Sequence, residues 1–464
     1  MRSLIAQVLG SLSAVFPPDS RIGNACPTAI RQTVPSGGET EFPTMESIHA
    51  AMLACPSIET LQVRVTMMGC TEEPDRYNFP FNPRGNEHYA SVPRVLSLDG
   101  YDTDATAWDI FVEKPFWIPW YERLGFWVER GRAVRWLLYR LLPEEQRLKT
   151  NLDLWLDAMD FSQIHTLQLN HTKGTYVLTD QVIQKLVPRL TSLESLVVHE
   201  HIAERFILAL PKDSLRHLSW QNPQHGRDLC GKNEYETLRS PLESILQQHG
   251  SSLESLEYHA QETPTLAAPA LSIQELHHLV TLTPNLRSLT IDLTREVNGT
   301  ESTLHWPWEK LKMLAAGLPE LTDLTIYFEL ASDCQRQTVN PWIDEGYRCD
   351  GHCIEPDRYA RPLLGETSGA EMARFLLQHK AGKKLERVAF RAGDWAAPWD
   401  GPLAAFSWLD EKQSWVACHT QNPHSEGWAE ESWPINISCD AGDTLNLDEW
   451  EEYCHYYALS AGLP

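Results

Sequence analysis

Cys349-Asp350-Gly351-His352-Cys353 gathers two thiols, a carboxylate and an imidazole within five residues. Zinc takes such ligands, but a structural site wants four of them, and no second pair follows at metal spacing. Disulfide chemistry suits these cysteines better, and no metal or cofactor is expected. The acids of TLNLDEWEEY, residues 444–453, read as a solvated helix face before they read as a paired-carboxylate site. No G-x-S-x-G, no H-E-x-x-H, no phosphate-binding glycine loop and no dinucleotide fingerprint occurs. No catalytic residue can be nominated. What remains is hydrogen bonding by polar side chains, and that depends on how the chain sets them in a row.

The setting is legible between Leu279 and Leu330. An amphipathic run and Pro284 lead into Leu286-x-x-Leu289-x-Ile291, and the same phrase returns in register 35 residues later as Pro319, Leu321, Leu324 and Ile326. Leu289 and Ile291 alternate with Ser288, Thr290 and Asp292, the pattern of a short strand with one buried face. Related phrases begin at Ile58, Ile164, Leu193, Leu215, Leu253 and Leu385, with a shorter one at Leu96 and Leu98. A Leu-x-x-Leu-x-Leu phrase at a recurring period is the mark of a leucine-rich repeat. The expected fold class is α/β: a leucine-rich-repeat solenoid, with a curved parallel sheet on the concave side, helices on the convex side and irregular capping segments.

Outward positions on that sheet follow by alternation. The third-position row would run Asn170, His199, Gln221, His259, Asp292 and Tyr327, with His217, Glu257 and Asp323 also facing outward. Polar hydrogen-bonding side chains in a curved row suit a protein, peptide or glycan ligand, although any solvated sheet face is polar. The candidate ligand-binding residues are therefore His199, Gln221, His259, Asp292, Tyr327, His217, Glu257 and Asp323.

The remaining segments set the organisation. Met1-Arg2, the apolar stretch Ser3 to Phe16 and then Pro17-Pro18 read as a signal peptide over 1–18, with a capping helix as the alternative. The solenoid is assigned to 19–391, beginning with a Pro/Gly/Ser-rich lead from Cys26 to Pro43. A Trp-rich insert lies near 101–142, where Arg side chains interleave with the rings. Residues 392–464 are assigned to a C-terminal cap. The ten cysteines gather toward the ends and inserts, which makes Cys26, Cys55, Cys70, Cys334, Cys349, Cys353, Cys418 and Cys439 disulfide candidates in an oxidising compartment. Sequons place possible glycans at Asn170, Asn298 and Asn436. A formal charge of -24 argues against nucleic acid as a partner, and no apolar run is long enough for a transmembrane helix.

CPTAIRQT (26–33), TMESIHAAMLACPSIETLQVRV (44–65), MGCTEEPDRYNFPF (68–81), the Trp-rich block ending in LPEEQ (142–146), LDLWLDAMDFS (152–162) and VAFRAGDW (388–395) together resemble a fungal leucine-rich-repeat, F-box/LRR-like family of mostly secreted proteins. The resemblance covers nearly the whole chain and implies a solenoid, an export signal and no assigned catalytic residue. The expected function is non-catalytic recognition outside the cell, secreted or wall-associated. The alternatives are a cytoplasmic F-box-type substrate receptor of a ubiquitin ligase and, further off, a hydrolase on a repeat scaffold.

Overall fold

The computed structural model describes residues 26–35, 41–66, 79, 81, 87–101, 103, 149–170, 179–198, 203–221, 241–260, 262, 270–297, 304–332, 358–393, 395, 409, 412–420 and 437–445. The chain divides into two compact units, Met1–Leu193 and Glu194–Pro464. In each, an open, mostly parallel β-sheet has helices in the connections between its strands. The expected signal segment lies outside the described residues, as does nearly all of the Trp-rich insert.

The first unit contains β1 (Ala29–Pro35), α1 (Glu41–Ala54), β2 (Thr60–Thr66), β3 (Val95–Asp99), α2 (Asn151–Ala158), β4 (Thr166–Asn170) and α3 (Asp180–Leu186). Its strands pair in parallel and in chain order, β1 with β2, β2 with β3 and β3 with β4. Alternation explains the layering. Leu61, Val63, Leu96, Leu98, Leu167 and Leu169 are buried, while Gln62, Arg64 and Gln168 point the other way and stay partly exposed. Parallel strands need a crossover, and α2 supplies one. Thr150 caps it and Asp153 closes a capping box, with the Thr150 hydroxyl accepting the Asp153 N–H and the Asp153 carboxylate accepting the Thr150 N–H at 3.0 Å. Trp155 of that helix is buried among Phe79, Phe81, Tyr89 and Tyr101, and its indole N–H donates to the Tyr101 hydroxyl at 3.1 Å.

One expectation is corrected here. The lead from Cys26 to Pro43 contains a strand, β1, in register with β2 from Ala29↔Thr60 to Pro35↔Thr66. It lacks the paired-leucine phrase because it is mostly exposed from Ala29 to Thr33, with Val34 fully buried. Ladder hydrogen bonds to β2 hold it, and a Cys26–Cys55 disulfide ties its start to the end of α1.

The second unit contains β5 (Ser195–Val198), α4 (Ala203–Ala209), β6 (His217–Gln221), α5 (Leu242–His249), β7 (Ser255–His259), α6 (Ile273–Leu282), β8 (Ser288–Asp292), the short β9 (Glu296–Val297) and β10 (Leu304–His305), α7 (Trp308–Gly317), β11 (Asp323–Phe328), α8 (Glu366–His379), β12 (Arg387–Gly393), β13 (Gln413–Thr420) and β14 (Ile437–Asp443). The run β5-β6-β7-β8-β11-β12 is parallel and in chain order. All three anchors of each repeat phrase here, for instance Leu253, Leu256 and Tyr258, or Leu321, Leu324 and Ile326, are at most 2% exposed. A short backbone approach lets the helices stack: a Cβ on Gly250, just after α5, would stand 2.6 Å from the carbonyl oxygen of Leu282 in α6.

Beyond β12 the pairing changes hand. β13 runs antiparallel to β12, β14 runs antiparallel to β13, and Cys418 and Cys439 face each other across that ladder as a disulfide. This is the segment that sequence alone assigned to the cap. Arg295, 8% exposed, fastens the loops beside the parallel strands: it donates to the carbonyls of Pro362 (3.0 Å) and Glu329 (2.6 Å) and lies over Trp306. Burial draws its guanidinium down to about 10, against the pull of Glu329 and Glu262. Glu262 in turn accepts the buried N–H groups of Leu330 and Ala331.

Candidate functional site

In the second unit, the residue after the last anchor of each phrase falls at the C-terminal end of its strand. That rule yields Gln221 on β6, His259 on β7, Asp292 on β8, Tyr327 on β11 and Arg391 on β12. Parallel register sets them abreast: Gln221 pairs with His259, Asp292 with Tyr327, and Tyr327 with Arg391. Neighbouring strands lie about 4.8 Å apart, so each side chain can reach the next.

Asp292 is the fixed point of the row. It is 3% exposed; one carboxylate oxygen accepts from Nδ1 of His259 at 2.6 Å, and the other accepts the Ala260 N–H at 2.7 Å. Burial raises its pKa, and the charge and hydrogen bond of His259 work against that rise. With Nδ1–H directed at the carboxylate, the neutral imidazole presents Nε2 as an acceptor. The His259 ring stacks on Tyr327 with centroids 3.7 Å apart and planes 21° apart. Arg391 donates to the Tyr327 hydroxyl at 3.3 Å and lies 4.5 Å over the ring of Trp395, which meets Tyr327 edge-on. Burial raises the Tyr327 pKa, opposed by Arg391. The indole nitrogen of Trp395 is buried and has no hydrogen-bond acceptor among the described residues.

Glu257, two residues before His259, is held as well. Its carboxylate accepts from the Ser219 hydroxyl at 2.6 Å and from the Gln221 amide at 3.0 Å. The structure therefore brings Gln221, Glu257, His259, Asp292 and Tyr327 together. Asp323 stands apart, because its carboxylate accepts from Arg387 and from the Thr322 hydroxyl. His217 is exposed at the start of β6. His199 lies outside the described residues, as do Asn298, Asn436, Cys70, Cys334, Cys349 and Cys353. Asn170 ends β4 opposite Asp99 in the first unit.

The expectation for Asp292 is corrected in one respect. It does not offer its carboxylate to solvent, because neighbouring groups engage both oxygens and the residue is buried. Arg391 and Trp395 extend the row beyond the residues nominated from sequence. The signal for Arg391 was present, since Val388-x-Phe390 is one of the phrases and Arg391 follows its last anchor. Trp395 lies past the strand, and no period could have placed it.

Among the described residues no group of three His, Cys, Asp or Glu side chains could hold a metal, and no helix is long and apolar enough to cross a membrane. What the row can do chemically is present aromatic faces, one guanidinium and one imidazole acceptor in a fixed arrangement. No protein-family model matches the chain, and no curated protein matches it.

Proposed function

We propose that this chain is a secreted, non-catalytic recognition protein of the leucine-rich-repeat type. It is a solenoid whose sheet face in the second unit holds a segment of a protein or peptide. The observation that carries this reading is the interlocked row His259–Asp292–Tyr327–Arg391–Trp395. Tyr, Trp and Arg are the side chains that most often act as anchors at protein interfaces, and they do so best when their neighbours already fix them. The parallel strands in chain order, with every repeat anchor buried, support the solenoid reading, and the two disulfides among the described residues support folding in an oxidising compartment rather than the cytoplasm.

Two measurements test this. Protein recovered from culture medium and compared on reducing and non-reducing gels should migrate as a disulfide-bonded species; absence from the medium, or free thiols at Cys26, Cys55, Cys418 and Cys439, would return the chain to the cytoplasmic substrate-receptor alternative. On a combined peptide and glycan array, the native chain should retain peptide ligands, and Tyr327→Ala should weaken them by about 2 kcal/mol or more, the usual scale of an interface anchor. Retention of glycans alone, or equal retention by the variant, would remove the peptide reading of this row.

A further inference from the structure

The first unit has an outward face of a different kind. Arg31, Gln62, Ser97 and Gln168 lie in one register row across β1, β2, β3 and β4. They line a depression of about 290 Å³, whose other walls include Arg64 and Asp99. Arg64 and Asp99 are already paired, at 3.3 Å. Ser97 forms the floor: it is 6% exposed, and its hydroxyl has no hydrogen-bond partner among the described residues. The Arg31 guanidinium is likewise uncommitted there. A nearly buried hydroxyl without a protein partner, opening into a polar depression, is what a ligand hydroxyl or carboxylate would complete.

We infer that this depression is a binding site for a small hydroxylated carboxylate of the sugar-acid class, such as a hexuronate. The inference is independent of the row in the second unit. Three features select the class. The volume lies just below the roughly 300–1,000 Å³ typical of small-molecule pockets, which limits the occupant to about one ring. A single uncommitted guanidinium, in a chain of formal charge -24, favours a monoanion; a dianionic phosphate would leave charge unmatched beside Asp99. The carboxamides of Gln62 and Gln168 with the Ser97 hydroxyl supply both donors and acceptors, which suits a ligand carrying several hydroxyl groups. Val63 is the one apolar residue at the lining, and its side chain is buried on the opposite face of the strand, so an apolar amino-acid side chain would gain little burial.

The test is titration of the intact chain with glucuronate, followed by calorimetry or by NMR, with glucose and inorganic phosphate as controls. Glucuronate should bind saturably, and glucose and phosphate at least tenfold more weakly. Arg31→Gln, at an exposed position, should weaken glucuronate by tenfold to a hundredfold, the range for losing one charge-assisted hydrogen bond. Ser97→Ala should weaken it severalfold, and Tyr327→Ala in the other unit should leave it unchanged. Absence of saturable glucuronate binding, binding undiminished in Arg31→Gln, or phosphate binding as tightly as glucuronate would each overturn the assignment.

Discussion

The outward faces of the two units rest on the same kind of strand and differ in how their side chains are held. In the second unit, Asp292, His259, Tyr327, Arg391 and Trp395 contact one another in sequence, so their positions are fixed before any ligand arrives. In the first unit, Gln62, Ser97 and Gln168 share a row with no side-chain bond among the three, beside the Arg64–Asp99 ion pair. A locked row loses little side-chain entropy on binding and so favours large, specific partners. An unlocked row keeps its donors and acceptors available for a small polar ligand. The lesson is that alternation determines which residues face outward, and neighbour chemistry determines whether that face is rigid.

Among the described residues each unit has a disulfide, at the start of the first strand in one and across the last two strands in the other, and removing either should have the largest effect on this comparison. Replacing both Cys26 and Cys55 with Ser opens a link of sequence separation 29 and should cost the first unit about 3–4 kcal/mol, measured by chemical denaturation. The same change at Cys418 and Cys439, separation 21, should cost the second unit about 3 kcal/mol. If the row in the second unit kept its peptide affinity after that loss, the antiparallel end would be shown to be irrelevant to it.

Asp292→Ala should come next. It leaves the Ala260 N–H buried without an acceptor and releases His259, at a cost of about 1–3 kcal/mol, read from the shift in denaturation midpoint. Asp292→Asn should cost less, because a carboxamide oxygen can still accept from Ala260. Equal penalties would mean that the charge, rather than the hydrogen-bond geometry, holds the row.

Asp153 gives a smaller effect with a pH signature. Burial pushes its pKa up, but hydrogen bonds from Lys185 and Thr150 outweigh that, and the net shift is downward from its ordinary 3.8. A carboxyl depressed in the folded state stabilises above its unfolded value, and that stability is lost as pH falls through the folded value. Asp153→Asn should therefore cost about 1 kcal/mol at neutral pH, and the gap between variant and native denaturation curves should close below pH 3.8. The smallest effect belongs to Gln62→Ala. With no hydrogen-bond partner to lose among the described residues, it should change stability by less than about 0.5 kcal/mol. A larger change would show that the face of the first unit is locked after all, and would remove the contrast between the two.

Much of this architecture could be read from the chain, and the reason is local. Leu286, Leu289 and Ile291, or Leu385, Val388 and Phe390, announce a buried strand by their own spacing, and all of them are buried. The helical stripe at Met45, Ile48 and Met52 falls on α1. The parts that were not legible depend on neighbours. β1 is exposed from Ala29 to Thr33 apart from a half-buried Ile30, and is a strand because β2 lies beside it. Ser414, Val416 and Cys418 alternate inward along β13 without a leucine phrase, and nothing in their spacing states that the pairing there becomes antiparallel.

By itself the sequence determined which residues are strand anchors, which side of each strand is outward, and that His259, Asp292 and Tyr327 share a row, because a period of two needs no knowledge of distant residues. Tertiary structure alone decided that Asp292 is buried and bonded to His259, that Arg391 and Trp395 complete the row, and that Ser97 lies unmatched at the floor of a polar depression. Those outcomes depend on which side chain a neighbouring strand sets within hydrogen-bonding distance, and how much water it leaves there, quantities that no spacing along the chain contains.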